Sequence, residues 1–380
     1  MKKILLACLI LMGTNAINAQ SYTKTVKENN RFSFELFREV FEADANSFIS
    51  PYSISSALAM TYAGARGNTE KQMADVLHFN LNQLKTHKGF SSLNSYFEKY
   101  NSDTSTKLSI ANAIWKKENL SVKQEFLDLT KKYYQASIYP LNSAKEINAW
   151  VNKETRNKIP TIVSEPDVAG AEMVLTNAIY FKGSWLHRFN KENTKLADFN
   201  GRQVNMMYQK NTFKYFSDDD NQIIELPYQD ENISMVVILP KTENNIADVV
   251  NELDYSTYEY YLDGLRNAEV HVHLPLFKVE GEYGLNDPLI SMGMVDAFKS
   301  TADFTGMSGG LYISKIIHKT FVEVNEEGTE AAAATAVIMR KSMSKPRTIE
   351  FKADRPFIFL LKDNETNSIL FIGAIAKPKE

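Results

Sequence analysis

The stretch from Met173 to Phe181 is compact and predominantly apolar, which predicts a central strand covered on both faces. Such a strand needs a layer of chain on each side of its sheet, and the rest of the sequence supplies the parts in order. In the first half, Phe34, Phe37 and Phe41 recur at helical spacing. Ser53 is placed to cap a helix whose Ile54, Ala57, Leu58, Thr61 and Tyr62 share a face. Thr69 and Gln72 have capping-box spacing ahead of Met73, Val76 and Leu77. Further helices are predicted from Lys123 to Tyr134 and from Ala144 to Thr155. Strand signals begin at Leu108 and dominate the second half, in Ile223 to Leu226, Ile233 to Leu239, Val270 to Leu276 and Tyr312 to Val324. At the end, Pro356 to Leu361 and Ile369 to Ile375 flank a turn-like segment and read as a hairpin. Helices first and many strands afterwards argue for an α+β fold with large, mostly antiparallel sheets.

No linker, repeat or charge block divides the 380 residues, so one large domain is expected after an export signal. Lys2 and Lys3 precede an apolar run from Ile4 to Met12, and Ile17-Asn18-Ala19 ends in a small residue before Gln20. Residues 1–19 are therefore expected to be a signal peptide and 20–380 the mature domain, exported to a periplasm or secreted. The run is too short to span a bilayer, and no membrane partner is expected. Cys8, the one cysteine, lies in that signal; Leu5-Leu6-Ala7-Cys8 has the look of a lipoprotein cleavage box, but the apolar run continues past it. Without Cys8 the mature chain has no thiol for disulfides, thiolate metal sites or catalysis. Loss of Lys2 and Lys3 takes the formal charge from -3 to -5, which gives no reason to expect nucleic acid as partner.

The unusual segment runs from Glu326 to Ser344. It is rich in small residues and then basic. An alanine-rich helix capped by Thr329 is one reading, since alanine has the highest helix propensity. Parity supports another. In an extended chain alternate residues face opposite sides, and Thr329, Ala331, Ala333, Thr335, Val337 and Met339 form one uncharged face. Glu330 and Arg340 fall on the other, with Ala332, Ala334, Ala336 and Ile338. The fourteen residues from Thr329 to Ser342 would reach roughly 46 Å at about 3.3 Å each, far beyond an ordinary strand. A segment compatible with both helix and strand suits a conformational switch.

Asn325-Glu326-Glu327-Gly328-Thr329-Glu330-Ala331-Ala332-Ala333 closely resembles the hinge of inhibitory serpins. The resemblance covers essentially the whole mature chain. It includes Asn46-Ser47-Phe48-Ile49-Ser50-Pro51 with Ser53-Ile54, and Leu175-Thr176-Asn177-Ala178-Ile179-Tyr180-Phe181-Lys182-Gly183-Ser184-Trp185. It continues through Ile224-Glu225-Leu226-Pro227-Tyr228, Gly293-Met294, Ala302-Asp303-Phe304 and Asp354-Arg355-Pro356-Phe357-Ile358-Phe359, and ends at Phe371-Ile372-Gly373. It implies the serpin fold, with helices packed on large sheets and an exposed reactive-centre loop at about 326–346. The implied function is that of a suicide-substrate inhibitor of serine proteases, extending to cysteine proteases, and not of an enzyme. The protease attacks the loop as bait, an acyl-enzyme forms, and the cut loop enters the main sheet as a new strand before deacylation. The partner is then a target protease held covalently by a monomeric inhibitor, with no cofactor and no metal. The insertion step belongs to the family; its driving force can be sized from this chain. At about 0.5 to 1.5 kcal/mol net per ladder hydrogen bond, a strand this long gains on the order of 10 kcal/mol, comparable to a domain's whole stability.

The resemblance also assigns residues. Glu327, Gly328, Thr329, Glu330, Ala331, Ala332, Ala333, Ala334 and Thr335 match the hinge. Family spacing from Gly328 places the reactive bond at Ser342-Met343, with Lys341-Ser342 as its neighbour. Arg340 and Lys341 are bait for trypsin-like pockets, which hold a carboxylate, or simply keep the loop soluble; Ser342 suits an elastase-like or subtilisin-like pocket. Ser50, Ser53, Asn177 and His318 match the polar shutter beneath the point where the sheet opens, and Trp185 the place where insertion begins. The alternative is a non-inhibitory serpin acting as a binding or chaperone module, against which the small-residue run from Thr329 to Ala336 argues. His271 and His273 alternate on a predicted strand and share a face, but two ligands do not make a metal site. No Gly-x-Ser-x-Gly elbow, His-Glu-x-x-His helix or phosphate-binding glycine loop supports catalysis.

Overall fold

Phe34 and Phe37 lie buried on a first helix over residues 22–40, in a computed structural model that describes residues 22–80, 82–101, 106–241, 245–329 and 349–379. The next helix, Pro51–Tyr62, starts earlier than its sequence suggests. Ser50, not Ser53, is the N-cap: its backbone is extended, its hydroxyl accepts from the Ser53 N–H at 3.3 Å, and Pro51 supplies a preset φ at the first helical position. Thr69 and Gln72 form no capping box. They sit inside helix Gly67–Val76, and both side chains are engaged elsewhere: Thr69 Oγ1 accepts from Asp303 N–H, and Gln72 Oε1 from Val295 and Asp296 N–H. Tertiary ties have taken the groups that a cap would have used. Gln124–Tyr134 and Ala144–Glu154 are helical as expected.

The strands form two large sheets. The nine-stranded sheet runs Ser47–Ile49, Ile369–Ile375, Phe357–Asp363, Ile233–Pro240, Asn221–Pro227, Arg202–Ser217, Arg266–Pro275 and Ile349–Lys352, with Lys195–Phe199 also on Arg202–Ser217. The six-stranded sheet runs Phe277–Gly284, Ile317–Asn325, Gly328–Thr329, Met173–Ser184, Thr106–Lys116 and Ser137–Pro140. Pairing is antiparallel except between Thr106–Lys116 and Ser137–Pro140 and between Ile349–Lys352 and Arg266–Pro275. The C-terminal hairpin is present, Phe357 facing Ile375. Of the stretch expected from Tyr312, only Ile317 onward is strand.

Met173–Ser184 is covered on both faces. On one side Ile179 and Phe181 join the large core, which also holds Ile54 and Leu58 of helix Pro51–Tyr62. On the other, Ile147 and Val151 of helix Ala144–Glu154 pack with Trp115, Ile159 and Ile162 in a separate cluster that Val174 borders. Trp115 stacks on Tyr139 with centroids 4.7 Å apart. That second cluster packs the outer helix on the sheet, and it is small enough to feel one truncation. Ile147→Ala is expected to lower native stability by about 2–4 kcal/mol through lost burial and a residual cavity, read as a shift of the urea midpoint with unchanged slope.

Candidate functional site

The two central strands of the six-stranded sheet, Ile317–Asn325 and Met173–Ser184, are joined among the described residues only through Gly328–Thr329. Asn325 and Ser184 flank Gly328; Val324 and Gly183 flank Thr329. The chain reaches this position by a turn at Glu326 and Glu327 that is held through both backbone and side chains. Trp185 N–H donates to Glu327 O and Phe189 N–H to Glu326 O, each at 2.9 Å, and Trp185 Nε1–H donates to Asn325 O at 2.9 Å. Asn325 Oδ1 accepts from the N–H groups of Glu327 and Gly328 at 3.0 and 3.3 Å. Glu327 pairs with Lys191 at 3.0 Å, and Thr194 Oγ1 donates to Glu326 Oε1 at 2.7 Å. Gly328 has φ +144°, and a Cβ there would overlap the Gly183 carbonyl oxygen, so only glycine serves.

Thr329 is 1% exposed, and its hydroxyl lies 2.7 Å from the Tyr228 hydroxyl. Tyr228 in turn stacks on Trp185 with centroids 4.6 Å apart and planes 10° apart. Burial pushes the Tyr228 phenol well above its ordinary pKa, so it stays protonated and able to donate. The odd-numbered face of the loop thus begins on the core side, in line with buried Val324, Val322, Thr320 and His318 on one neighbour and Phe181 and Ile179 on the other. Glu330, Ala331, Ala332, Ala333, Ala334 and Thr335, and the bait residues Arg340, Lys341, Ser342 and Met343, lie outside the described residues, as do residues 1–19.

Farther along the same pair of strands, Ser50, Ser53 and His318 come together. Ser50 N–H donates to His318 Nε2 at 3.0 Å, and Ser50 Oγ donates to the Leu370 carbonyl at 2.7 Å. Asn177 makes a different contact. Its Nδ2 donates at 2.7 Å to Oδ1 of Asn112, its partner across the ladder, and Asn112 donates onward to the Tyr134 carbonyl. Asn177 Oδ1 is buried and has no partner among the described residues. Ser53, Asn177 and His318 all line one cavity of about 190 Å³. Asn112 and the Lys191 and Thr194 contacts carry no sequence signal. Tyr228 did, as the end of Ile224-Glu225-Leu226-Pro227-Tyr228, yet its place beside Thr329 required the fold.

His271 and His273 do share a face, where Glu350 of the parallel neighbour strand lies 3.7 and 3.3 Å from them and Tyr208 hydroxyl 2.9 Å from His271 Nδ1. Among the described residues no group of three or more His, Cys, Asp or Glu is arranged to hold a metal.

The family model described as Serpin (serine protease inhibitor) matches residues 27–378. The chain belongs to the serpin family. The leukocyte elastase inhibitor of Xenopus tropicalis is 42% identical over 371 residues, covering 91% of this chain and 97% of that protein. The leukocyte elastase inhibitor of Sus scrofa is also 42% identical, covering 92% and 98%. Human Serpin B3 is 38% identical, covering 92% and 98%. The crystal structure of the thermophilic serpin tengpin in its native state superimposes with TM-score 0.85 at 32% identity, covering 93% of this chain and 94% of that one. This serpin is accordingly a protease inhibitor and not an enzyme.

His318 gives the serpin a defined acid response. Burial pushes its pKa down to about 3, and burial pushes that of His87, bonded to Tyr134 hydroxyl at 2.7 Å, down to about 4. Both are neutral when folded and take up a proton near pH 6.5 when unfolded. Stability from them is therefore fully present above about pH 6.5 and is lost as pH falls toward 3, the unfolded chain binding more protons in that window. His318→Gln is expected to flatten the pH dependence of the urea midpoint between pH 6 and 4 by about one proton, ~1.4 kcal/mol per pH unit.

Proposed function

We propose that this serpin is an exported, monomeric trap whose mature domain, residues 20–380, captures serine proteases covalently on the loop that follows Thr329. The observation that carries this reading is Thr329 itself. It is already laddered between the two central strands with its side chain in the core, and the next residues of its face are Ala331, Ala333 and Thr335, small enough to follow. Glu326 and Glu327 remain anchored outside, so a cut beyond Arg340 leaves the upstream arm attached and free to enter.

The bait is Lys341-Ser342-Met343, with Ser342-Met343 as the principal bond and Lys341-Ser342 and Arg340 as alternatives for trypsin-like enzymes. A small Ser342 fits the pockets of elastase-like and subtilisin-like proteases, and relatives named leukocyte elastase inhibitors support that class of target. Lys2, Lys3 and the apolar run to Met12 support export, with a mature chain starting at Gln20.

Incubation with elastase, trypsin and subtilisin followed by denaturing electrophoresis is expected to give a complex that survives boiling. The released C-terminal peptide is expected to begin at Met343, or at Ser342 where the neighbouring bond is used, as read by mass spectrometry. Cleavage by a protease that is not trapped is expected to raise the melting temperature by roughly 10–15 °C, given a gain on the order of 10 kcal/mol. An unchanged melting curve after clean cleavage would sink the insertion reading.

The inward face can be tested separately. Thr329→Arg or Ala333→Arg places a charge where it must be buried unpaired, at several kcal/mol. Such a variant is expected to be cut at the normal bond without forming the complex. Trapping at normal stoichiometry would show that the faces are reversed.

A further inference from the structure

Strand Ser137–Pro140 is only 4 residues long and pairs with Ala113 to Lys116. The edge of its neighbour from Thr106 to Asn112 therefore carries no ladder on that side among the described pairings. A cavity of about 640 Å³ opens where the short strand stops, and Leu108, Ile110 and Asn112 of the bare edge line it. Three helices close its sides. Phe97 and Glu98 come from the end of helix Gln83–Phe97, Tyr134 and Gln135 from the end of Gln124–Tyr134, and Trp150 and Glu154 from Ala144–Glu154. Gln135 turns the chain at φ +53°, and its amide donates to Glu98 Oε1, which joins two of these walls.

The walls combine acid with aromatic surface. Trp150 and Glu154 stand one helical turn apart on the same face of their helix. The Trp150 ring centroid lies 6.4 Å from that of Tyr139, which is itself stacked on Trp115, and Trp150 and Tyr139 both line the cavity. Glu98 has the Gln135 amide as its hydrogen-bond partner, and Glu154 has no hydrogen bond or ion pair among the described residues. No lysine, arginine or histidine is among the described lining residues. Two carboxylates thus face one space with no cation to balance them, and an uncharged or anionic occupant that displaces their water raises the cost. A cation lowers it, and the electron-rich face of an indole attracts one as well. Phe97, Leu108 and Ile110 supply an apolar wall that suits a hydrocarbon tail.

We propose that this cavity binds an organic monocation with a short apolar tail, its ammonium group held by Glu154, Glu98 and the Trp150 ring and its tail laid on Phe97, Leu108 and Ile110. The site belongs to the uncut protein, and the inference is independent of the loop-insertion reading. An occupant would touch the bare strand edge and all three flanking helices, so it stabilises the native protein by mass action.

The test titrates hexyltrimethylammonium calorimetrically into the uncut protein, with hexanol and hexanesulfonate as uncharged and anionic controls of equal tail length. The cation is expected to bind about ten-fold or more tightly than hexanol, hexanesulfonate to give no binding, and the affinity for the cation to fall as sodium chloride is raised. Glu154→Gln is expected to weaken the cation about two- to five-fold. Trp150→Leu is expected to weaken it about two- to thirty-fold, and Glu154→Lys to abolish binding. Urea midpoints confirm that each variant is folded. Glu154 is only partly buried, so its two variants carry the test even where Trp150→Leu fails to fold. Equal affinity for the cation and hexanol, undiminished binding of the cation to Glu154→Lys, or no binding of the cation to the wild-type protein overturns the inference.

Discussion

The join between the two central strands of the six-stranded sheet depends, among the described residues, on the two-residue wedge Gly328–Thr329, whose backbone is laddered to a different strand on each side. Neighbouring strands of a sheet ordinarily satisfy each other's N–H and C=O groups, and a group left unmade in a buried setting carries the full desolvation penalty. Here Ile317–Asn325 and Met173–Ser184 have no ladder to one another among the described pairings; the wedge is what connects them. A strand continuing from Thr329 in the same register would supply partners to both facing edges at once. The thermodynamic pull on the loop therefore comes from the backbone of the sheet, and the loop sequence needs only to offer side chains that do not obstruct entry. On the proposed insertion reading, the uncut fold is held by a kinetic barrier and not by being the most stable arrangement of the chain.

The wedge is held from above and the opening is held from below, by different interactions. At the top, Trp185 is bridged to Tyr228, Leu186 N–H reaches the Pro227 carbonyl, and Gln229 N–H reaches the Ser184 carbonyl, so the end of the central strand is pinned to the nine-stranded sheet. The Tyr228 hydroxyl is bonded to that of Thr329, the last described residue of the segment. At the bottom, Ser50 couples three parts through single atoms: the start of helix Pro51–Tyr62, the C-terminal strand through Leu370, and strand Ile317–Asn325 through His318. Directional bonds of this kind are made or broken outright, which gives two defined states where apolar contact would allow gradual slippage. The outer helix Ala144–Glu154, bound by a small apolar cluster, closes the remaining face.

The parts of this design that rest on pattern were readable in the sequence. The apolar stretch around Ile179 and Phe181 demanded cover on both faces and has it; of the uncharged odd-numbered face only Thr329 lies among the described residues, and it is buried. Where one residue type serves two purposes, the local reading failed. Ser53 looks like a cap, but Ser50 takes that role because Pro51 fixes the helix start. Thr69 and Gln72 look like a capping box, but distant backbone N–H groups claim both side chains. Strand Arg202–Ser217 went unread because it pairs with three different strands along its length, so no single alternation runs through it. Asn112 could not be found at all: its role exists only because the ladder sets it opposite Asn177.

Burial fixes the protonation state of His318 and with it the contact to Ser50. A protonated imidazole offers two donors and no acceptor, and would lose the Ser50 N–H that fixes its orientation. A ring that titrated near neutrality would thus make the Ser50 contact sensitive to ordinary changes of pH. Burial holds the folded pKa at about 3, so the ring stays neutral, and the Ser50 contact selects one tautomer across the physiological range. The side chain then accepts from the helix start on Nε2 and carries its proton on Nδ1. Asn177, lining the same cavity, commits an amide N–H to Asn112, and its oxygen is buried with no partner among the described residues.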